Sequence, residues 1–197
     1  MRGDGRAVEH EDDGDVLKGL AAGLFAGLIA SWTMNRFQAM WSREEVGVEK
    51  PHGAQGIKPY VEGQESLQAK EETPESDKQD DDPTEKVAQA IAESIFDHRL
   101  KESEKEPAGA VVHYAFGIAT GGIYGALAEV TPVVTAGAGL PFGAVFWLTA
   151  DEIAVPALGL SKKPTEYPLS THAYSLCSHL VYALTAEAVR RTVRRAL

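Results

Sequence analysis

The chain has 197 residues, a formal net charge of −10, one cysteine and a mean hydropathy of −0.20, averages that resemble a soluble acidic protein of one domain. The average hides two kinds of segment: of the 29 acidic residues, 6 precede Val16, 13 lie in Glu44–Glu85 and 5 in Glu93–Glu106, leaving five for the apolar remainder. An acidic chain whose only basic cluster is Arg190, Arg191, Arg194 and Arg195 lacks the basic face that phosphate contacts need, so nucleic acid is excluded as a partner, and Cys177 by itself excludes an internal disulfide.

Residues 1–15 are polar and acidic and are expected as a disordered tail. Val16–Met34 is a nearly unbroken apolar run of 19 residues. At 1.5 Å per residue such a helix spans roughly the 30 Å of a bilayer core. A signal peptide would need a basic start and a small-residue cleavage site, and neither accompanies this run. The first transmembrane helix is therefore placed at 16–36, with Asn35, Arg36, Trp41 and Arg43 as its border. Within it Gly19, Gly23 and Gly27 recur every fourth residue, forming a strip on which a second backbone can approach closely.

Residues 44–83 are rich in Glu, Asp, Gln, Lys, Gly and Pro, with almost no periodic apolar positions, and are expected as a disordered acidic loop. Asp82, Pro83 and Glu85 then signal a helix start. An amphipathic helix is predicted over 84–102, with Val87, Ile91, Ile95 and Leu100 or His98 as its apolar stripe, lying in the membrane interface or docked on the bundle.

Pro107 introduces the second span, 108–130, in which Gly117, Gly121 and Gly125 repeat the four-residue spacing. The string GIATGGIYG is not a dinucleotide fingerprint, because no strand precedes it. The third apolar run, 133–160, has 28 residues. As one straight helix it would measure about 42 Å, so a kinked span is expected, with bends at Pro141 and Pro156. The fourth span is placed at 169–190, followed by a basic tail, 191–197, suited to anionic lipid. The fold class is thus all-α: a polytopic four-helix membrane bundle packed through glycines, with one further amphipathic helix in a long loop.

Up-and-down connectivity brings the end of the first span, the start of the second, the end of the third and the start of the fourth to one face. That face collects Asn35, His113, Tyr114, Asp151, Glu152, Glu166 and His172. Ionisable side chains in apolar runs cost free energy and point to function. Asp151 and Glu152 either end the third helix in solvent or face a wet cavity with the histidines. In the second case His113, Asp151, Glu152, Glu166 and His172 form a proton or ion cluster, since imidazole and carboxylate groups together change charge between about pH 4 and 7. The residue types would also suit zinc, but no H-E-x-x-H or paired-cysteine spacing is present, and no metal, cofactor or catalytic residue is expected. His179, mid-helix, is read as a packed side chain bonded to a neighbouring helix.

Lys and Arg number seven near the spans at each face. The 72-residue Arg36–Pro107 connection exceeds the about 60 residues over which the positive-inside rule counts, and discounting it places both termini in the cytoplasm.

The runs KGLAAGLFAGLIASWTMNRFQ, AVVHYAFGIATGGIYGALAE and GAGLPFGAVFWLTADEIAVPALGLSKKPTEYPLSTHAYSLCSHLVYALTAEAVRR resemble the YagU-like family of small bacterial inner-membrane proteins, a domain of unknown function. The resemblance implies a multi-pass inner-membrane protein, with a role in acid tolerance for one branch, and supplies no catalytic or binding residues. Three functions follow as expectations: a non-enzymatic proton- or ion-responsive membrane protein, a structural or accessory subunit packing through its glycine-rich helices, and a metal-dependent intramembrane enzyme. Lipid is the expected partner, with a homo-oligomer or a membrane-protein partner beside it.

Overall fold

A computed structural model describes residues 5–44 and 82–197, with side chains from Asp15 to Trp41 and from Asp82 onward, Pro132 excepted. Most of the expected acidic loop, and residues 1–4 of the expected tail, lie outside the described residues. In chain order the elements are α1 (Gly5–Glu44), α2 (Pro83–Phe96), α3 (Glu102–Val130), a 3-10 segment (Pro132–Gly139), α4 (Leu140–Trp147), a π-helix (Leu148–Ala154), α5 (Val155–Ala157), a short 3-10 turn (Pro164–Glu166) and α6 (Leu169–Arg194). No strand occurs among the described residues.

Three stretches, Asp15–Trp41, Glu102–Val130 and Val133–Ala157, are long and apolar enough to cross a membrane. Their surface agrees. Phe25, Trp32, Ile123 and Val145 are each more than half exposed, whereas Ala22, Ala26, Ala30 and Ala186 are wholly buried. Large apolar groups outside and small ones inside invert the soluble pattern, as lipid requires. The described residues are thus almost wholly helical, without strands, and carry the length and surface pattern of membrane-spanning helices.

α1 and α3 run antiparallel in close contact. A Cβ at Gly23 would lie 2.2 Å from the Gly121 carbonyl oxygen, one at Gly27 2.5 Å from that of Gly117, and one at Gly19 2.6 Å from that of Gly125. Only residues without side chains permit this approach. α6 packs against both α1 and α4. There Gly143 does the same service: its Cβ would lie 2.7 Å from Ala183 Cβ and 2.8 Å from the His179 carbonyl oxygen.

Several boundaries differ from expectation. α1 begins at Gly5, within the expected tail, because the helix nucleated by the apolar run meets no proline before it. α2 stops at Phe96 instead of continuing to 102, capped by Asp97 in the left-handed region at φ 49°, whose N–H bonds the Ala92 carbonyl. Its buried face is Pro83, Ala88 and Ala92, while Ile95 and Phe96 stay exposed. α3 starts at Glu102, so Pro107 lies inside it and not before it. The bend expected at Pro141 falls earlier, where Gly137, Ala138 and Gly139 all have positive φ, and Pro141 opens α4. Beyond α4 the chain winds as a π-helix and continues helically through Ala157. Pro156 supplies the reason: in an α-helix its ring would collide with the Glu152 carbonyl, and wider winding upstream relieves that collision.

Candidate functional site

The π-winding sets the directions of the two adjacent carboxylates. Even in an α-helix consecutive side chains point about 100° apart. Here Asp151 turns inward and is buried, whereas Glu152 turns toward the start of α6. The pair therefore serves two contacts, not one.

The outer contact is Glu152 with His172. Glu152 Oε1 lies 2.7 Å from His172 Nδ1, and His172 Nε2 lies 3.0 Å from the Pro164 carbonyl oxygen. Both side chains are largely shielded, at 21% exposure for His172 and 15% for Glu152. A carbonyl can only accept, so Nε2 carries a hydrogen and donates. Nδ1 then faces a carboxylate. That bond needs one further proton, held either on Nδ1 as imidazolium or on Glu152 as a carboxylic acid. The contact is a one-proton bond that ties the π-helix, the Pro164 turn and α6 together.

The inner contact is Asp151 with Ser175 and His179. The Ser175 hydroxyl donates to Asp151 Oδ2, and His179 Nδ1 lies 3.7 Å from the same oxygen. His179 Nδ1 also lies 2.9 Å from the Ser175 carbonyl oxygen, one turn back on α6. All three residues are buried. His179 therefore bonds its own helix and approaches a carboxylate on the next one. Phe146 presents its ring edge-on to His179 at 5.1 Å between centroids.

The other expected cluster residues are placed apart from these two contacts. His113 stands beside Tyr114, with ring centroids 5.8 Å apart, and its Nε2 is buried without a hydrogen-bond partner among the described residues. Asn35 Nδ2 donates to Tyr114 Oη at 3.3 Å, linking α1 to α3 beside it. Glu166 is exposed at the end of the 3-10 turn. The five expected residues thus do not converge on one point; the structure pairs Glu152 with His172, gives Asp151 different partners and leaves Glu166 outside. Among the described residues no three His, Cys, Asp or Glu side chains group as metal ligands.

At the opposite end lies a charge clasp. Glu187, 1% exposed, accepts from Tyr124 Oη at 2.8 Å, from Arg190 Nε at 2.8 Å and Nη2 at 3.1 Å, and from Arg191 Nε. Glu129 accepts from Arg194 Nε at 3.0 Å, and Arg194 Nη2 also reaches Asp15 Oδ1 at 2.6 Å. Three carboxylates and three guanidiniums from α1, α3 and α6 balance, which lets Glu187 stay ionised while buried.

Residues 71–188 match the family described as protein of unknown function (DUF1440). The chain belongs to this family. In this DUF1440 protein the matched stretch carries α2, α3, the α4–α5 segment and most of α6, hence Asp151, Glu152, His172, Ser175 and His179, while α1 with its glycines and Asn35 lies outside it. No curated protein and no solved structure matches the chain.

Sequence reasoning did not assign Ser175, His179, Tyr124, Asp15 or Gly143 to a site or a seam. A signal for some of them exists in α6. Thr171, Ser175, His179, Tyr182, Glu187 and Arg190 fall three to five residues apart and are all buried, with Ser178 beside His179, a buried polar stripe along the helix.

Proposed function

We propose that this chain is a four-crossing protein of a bacterial inner membrane, without enzymatic activity, that responds to protons at the Glu152–His172 contact. α6 supplies the fourth crossing: its 26 residues are long enough, and the stripe that lowers its hydropathy is turned into the bundle. The observation that carries the proton reading is His172 held between two acceptors, because that arrangement exists only while one extra proton is present. Without that proton the single N–H of His172 can serve only one of the two acceptors, so either the Glu152 bond or the Pro164 bond is given up. The resemblance to the YagU-like family adds acid tolerance as the setting for such a response, and the Lys/Arg balance favours cytoplasmic termini. Lipid is the partner on this reading, facing the exposed apolar side chains.

The accessory-subunit reading is the weaker one. It needs free glycine strips to meet a partner, yet Gly19, Gly23 and Gly27 are already seated on Gly125, Gly121 and Gly117 of the same chain.

The test is nitrogen NMR of the 15N-histidine-labelled chain in lipid bilayers, titrated with pH, for the wild type and Glu152→Gln. The wild type is expected to show His172 gaining a second N–H as pH falls, with the Glu152→Gln signals altered throughout the titration. Identical His172 signals in both proteins at every pH would sink the proposal.

A further inference from the structure

α2 carries an apolar arc wider than the surface it packs on. The helix lies on α3, with Ala88 and Ala92 buried. At 100° per residue, Ile91, Ile95 and Phe96 fall within about 80° of the centre of that buried face. Yet Ile91 is exposed too, and Ile95 and Phe96 are 69% and 73% exposed. Glu93 and Ser94 occupy the opposite side. The helix is thus docked through its smallest side chains, while its largest apolar ones overhang α3.

The height of this overhang follows from the glycine seam. Gly19, Gly23 and Gly27 lie against Gly125, Gly121 and Gly117, and the same antiparallel register continued along α1 sets Met40 level with Glu104. Glu104 accepts from the Lys101 N–H at 2.8 Å and lies 3.5 Å from His98 Nε2, while the Leu100 N–H donates to Gln89 Oε1 at 3.1 Å. The link that follows Phe96 is therefore fastened at that level. Trp41 stands there too, its ring centroid 5.7 Å from that of Tyr174 on α6, whose hydroxyl donates to the Gln38 carbonyl at 3.3 Å. Tryptophan and tyrosine concentrate where the lipid headgroups begin. The exposed apolar side of α1, running from Phe25 and Leu28 through Trp32, reaches this height at Met40, and α6 opens five residues before Tyr174 with Leu169, 82% exposed.

Exposed apolar groups on three separate helices at one height match a planar surface, whereas a protein partner would cover a single patch. We propose that α2 is an interfacial helix: Ile91, Ile95 and Phe96 enter the boundary between phospholipid headgroups and acyl chains, level with Met40 and Leu169, while Glu93 and Ser94 face water. The partner is the lipid surface itself, continuous with the lipid around the spans. A helix seated this way has two supports, α3 and the bilayer. Lys86 Nζ also donates to the Leu160 carbonyl at 3.1 Å, so α2 fixes the height of the connection that carries Pro164. This inference rests on the membrane-crossing part of the function proposed above and is independent of the proton response.

Nitroxide depth measurements test this in the full-length chain, reconstituted in phosphatidylcholine bilayers. In a Cys177→Ala background, Ile95→Cys, Phe96→Cys, Met40→Cys, Glu93→Cys and Ser94→Cys are spin-labelled one at a time. Collisions with oxygen, which concentrates in lipid, are compared with collisions with a water-soluble nickel chelate. All five native side chains are exposed, so a label at each fits without repacking the bundle. Labels at 95, 96 and 40 are expected about 5–10 Å deeper than those at 93 and 94. Equal depths from 93 to 96 would overturn the proposal. Labels at 95 and 96 shielded from both oxygen and nickel would reveal a protein or a second copy on this face and would overturn it as well. Such results in a chain that survives carbonate washing sink the interfacial helix alone; release of the chain in the wash sinks the membrane reading beneath it.

Discussion

Gly121 and Gly122 are neighbours in α3, yet the seam predicts opposite outcomes when each becomes alanine. Both substitutions gain about 0.8–1.0 kcal/mol of helix propensity. At Gly121 the new Cβ would lie 2.5 Å from the Gly23 carbonyl oxygen, 2.5 Å from Gly27 Cα and 2.7 Å from Gly27 N, all backbone atoms of a helix that cannot move piecemeal. Relief requires α1 and α3 to separate along the seam, an overpacking cost of about 1–3 kcal/mol, with the upper end expected because no side chain can yield. At Gly122 the nearest atom is Leu24 Cδ2 at 2.7 Å, the far end of a side chain that can change rotamer. The net expectation is a loss of about 2 kcal/mol for Gly121→Ala and a change within about 0.5 kcal/mol for Gly122→Ala. At about 2–4 °C per kcal/mol for a chain of this size, the first lowers Tm by about 4–8 °C and the second leaves it nearly unchanged. Thermal unfolding of the purified chain in mild detergent, followed by the monomer fraction left on size exclusion, measures both. Equal shifts for the two variants, or a raised Tm for Gly121→Ala, would refute the backbone-contact account of the seam.

Other consequences of the geometry can be measured on the same preparation. Arg190→Ala removes bonds of 2.8 and 3.1 Å to a buried Glu187 and is expected to cost about 3 kcal/mol, while Arg191→Ala, at a side chain 51% exposed, costs about 1 kcal/mol or less; similar losses would show that Glu187 is not held as described. Ser175→Ala strips Asp151 of its hydroxyl donor and should lower stability by about 1.5–3 kcal/mol, with Ser175→Thr restoring part of it if the hydroxyl is what matters. Tyr124→Phe takes away the 2.8 Å bond to Glu187, and a loss of about 1–3 kcal/mol in the same unfolding assay is expected. Alkaline carbonate washing of membranes that contain the chain should leave it in the pellet; its release into the supernatant would contradict the membrane-spanning reading.

Much of the architecture is written in local pattern. The apolar run after Val16, the break at Pro132 and the four-residue glycine spacing are properties of adjacent residues and could be read directly, whereas Pro107 lies within α3 and the bend sought at Pro141 falls at 137–139. The helix ends were less legible, as at Asp97, because a left-handed cap is one residue's choice and competes with a stripe that continues to Leu100. Asp151 and Glu152 could be singled out as costly groups in an apolar run, and topology brought His172 to their side, whereas His113, expected with them, stands beside Tyr114 instead. Which of them meet was decided by three dimensions alone. The rotation of each helix about its axis, the π-winding ahead of Pro156 and the close crossing allowed by Gly143 turn Asp151 to Ser175 and His179, turn Glu152 to His172 and leave Glu166 in the open. Composition and spacing specify that a polar face exists; only the packed helices specify the partner of each polar atom, since hydrogen bonds depend on ångström-scale separations between segments that lie far apart in sequence.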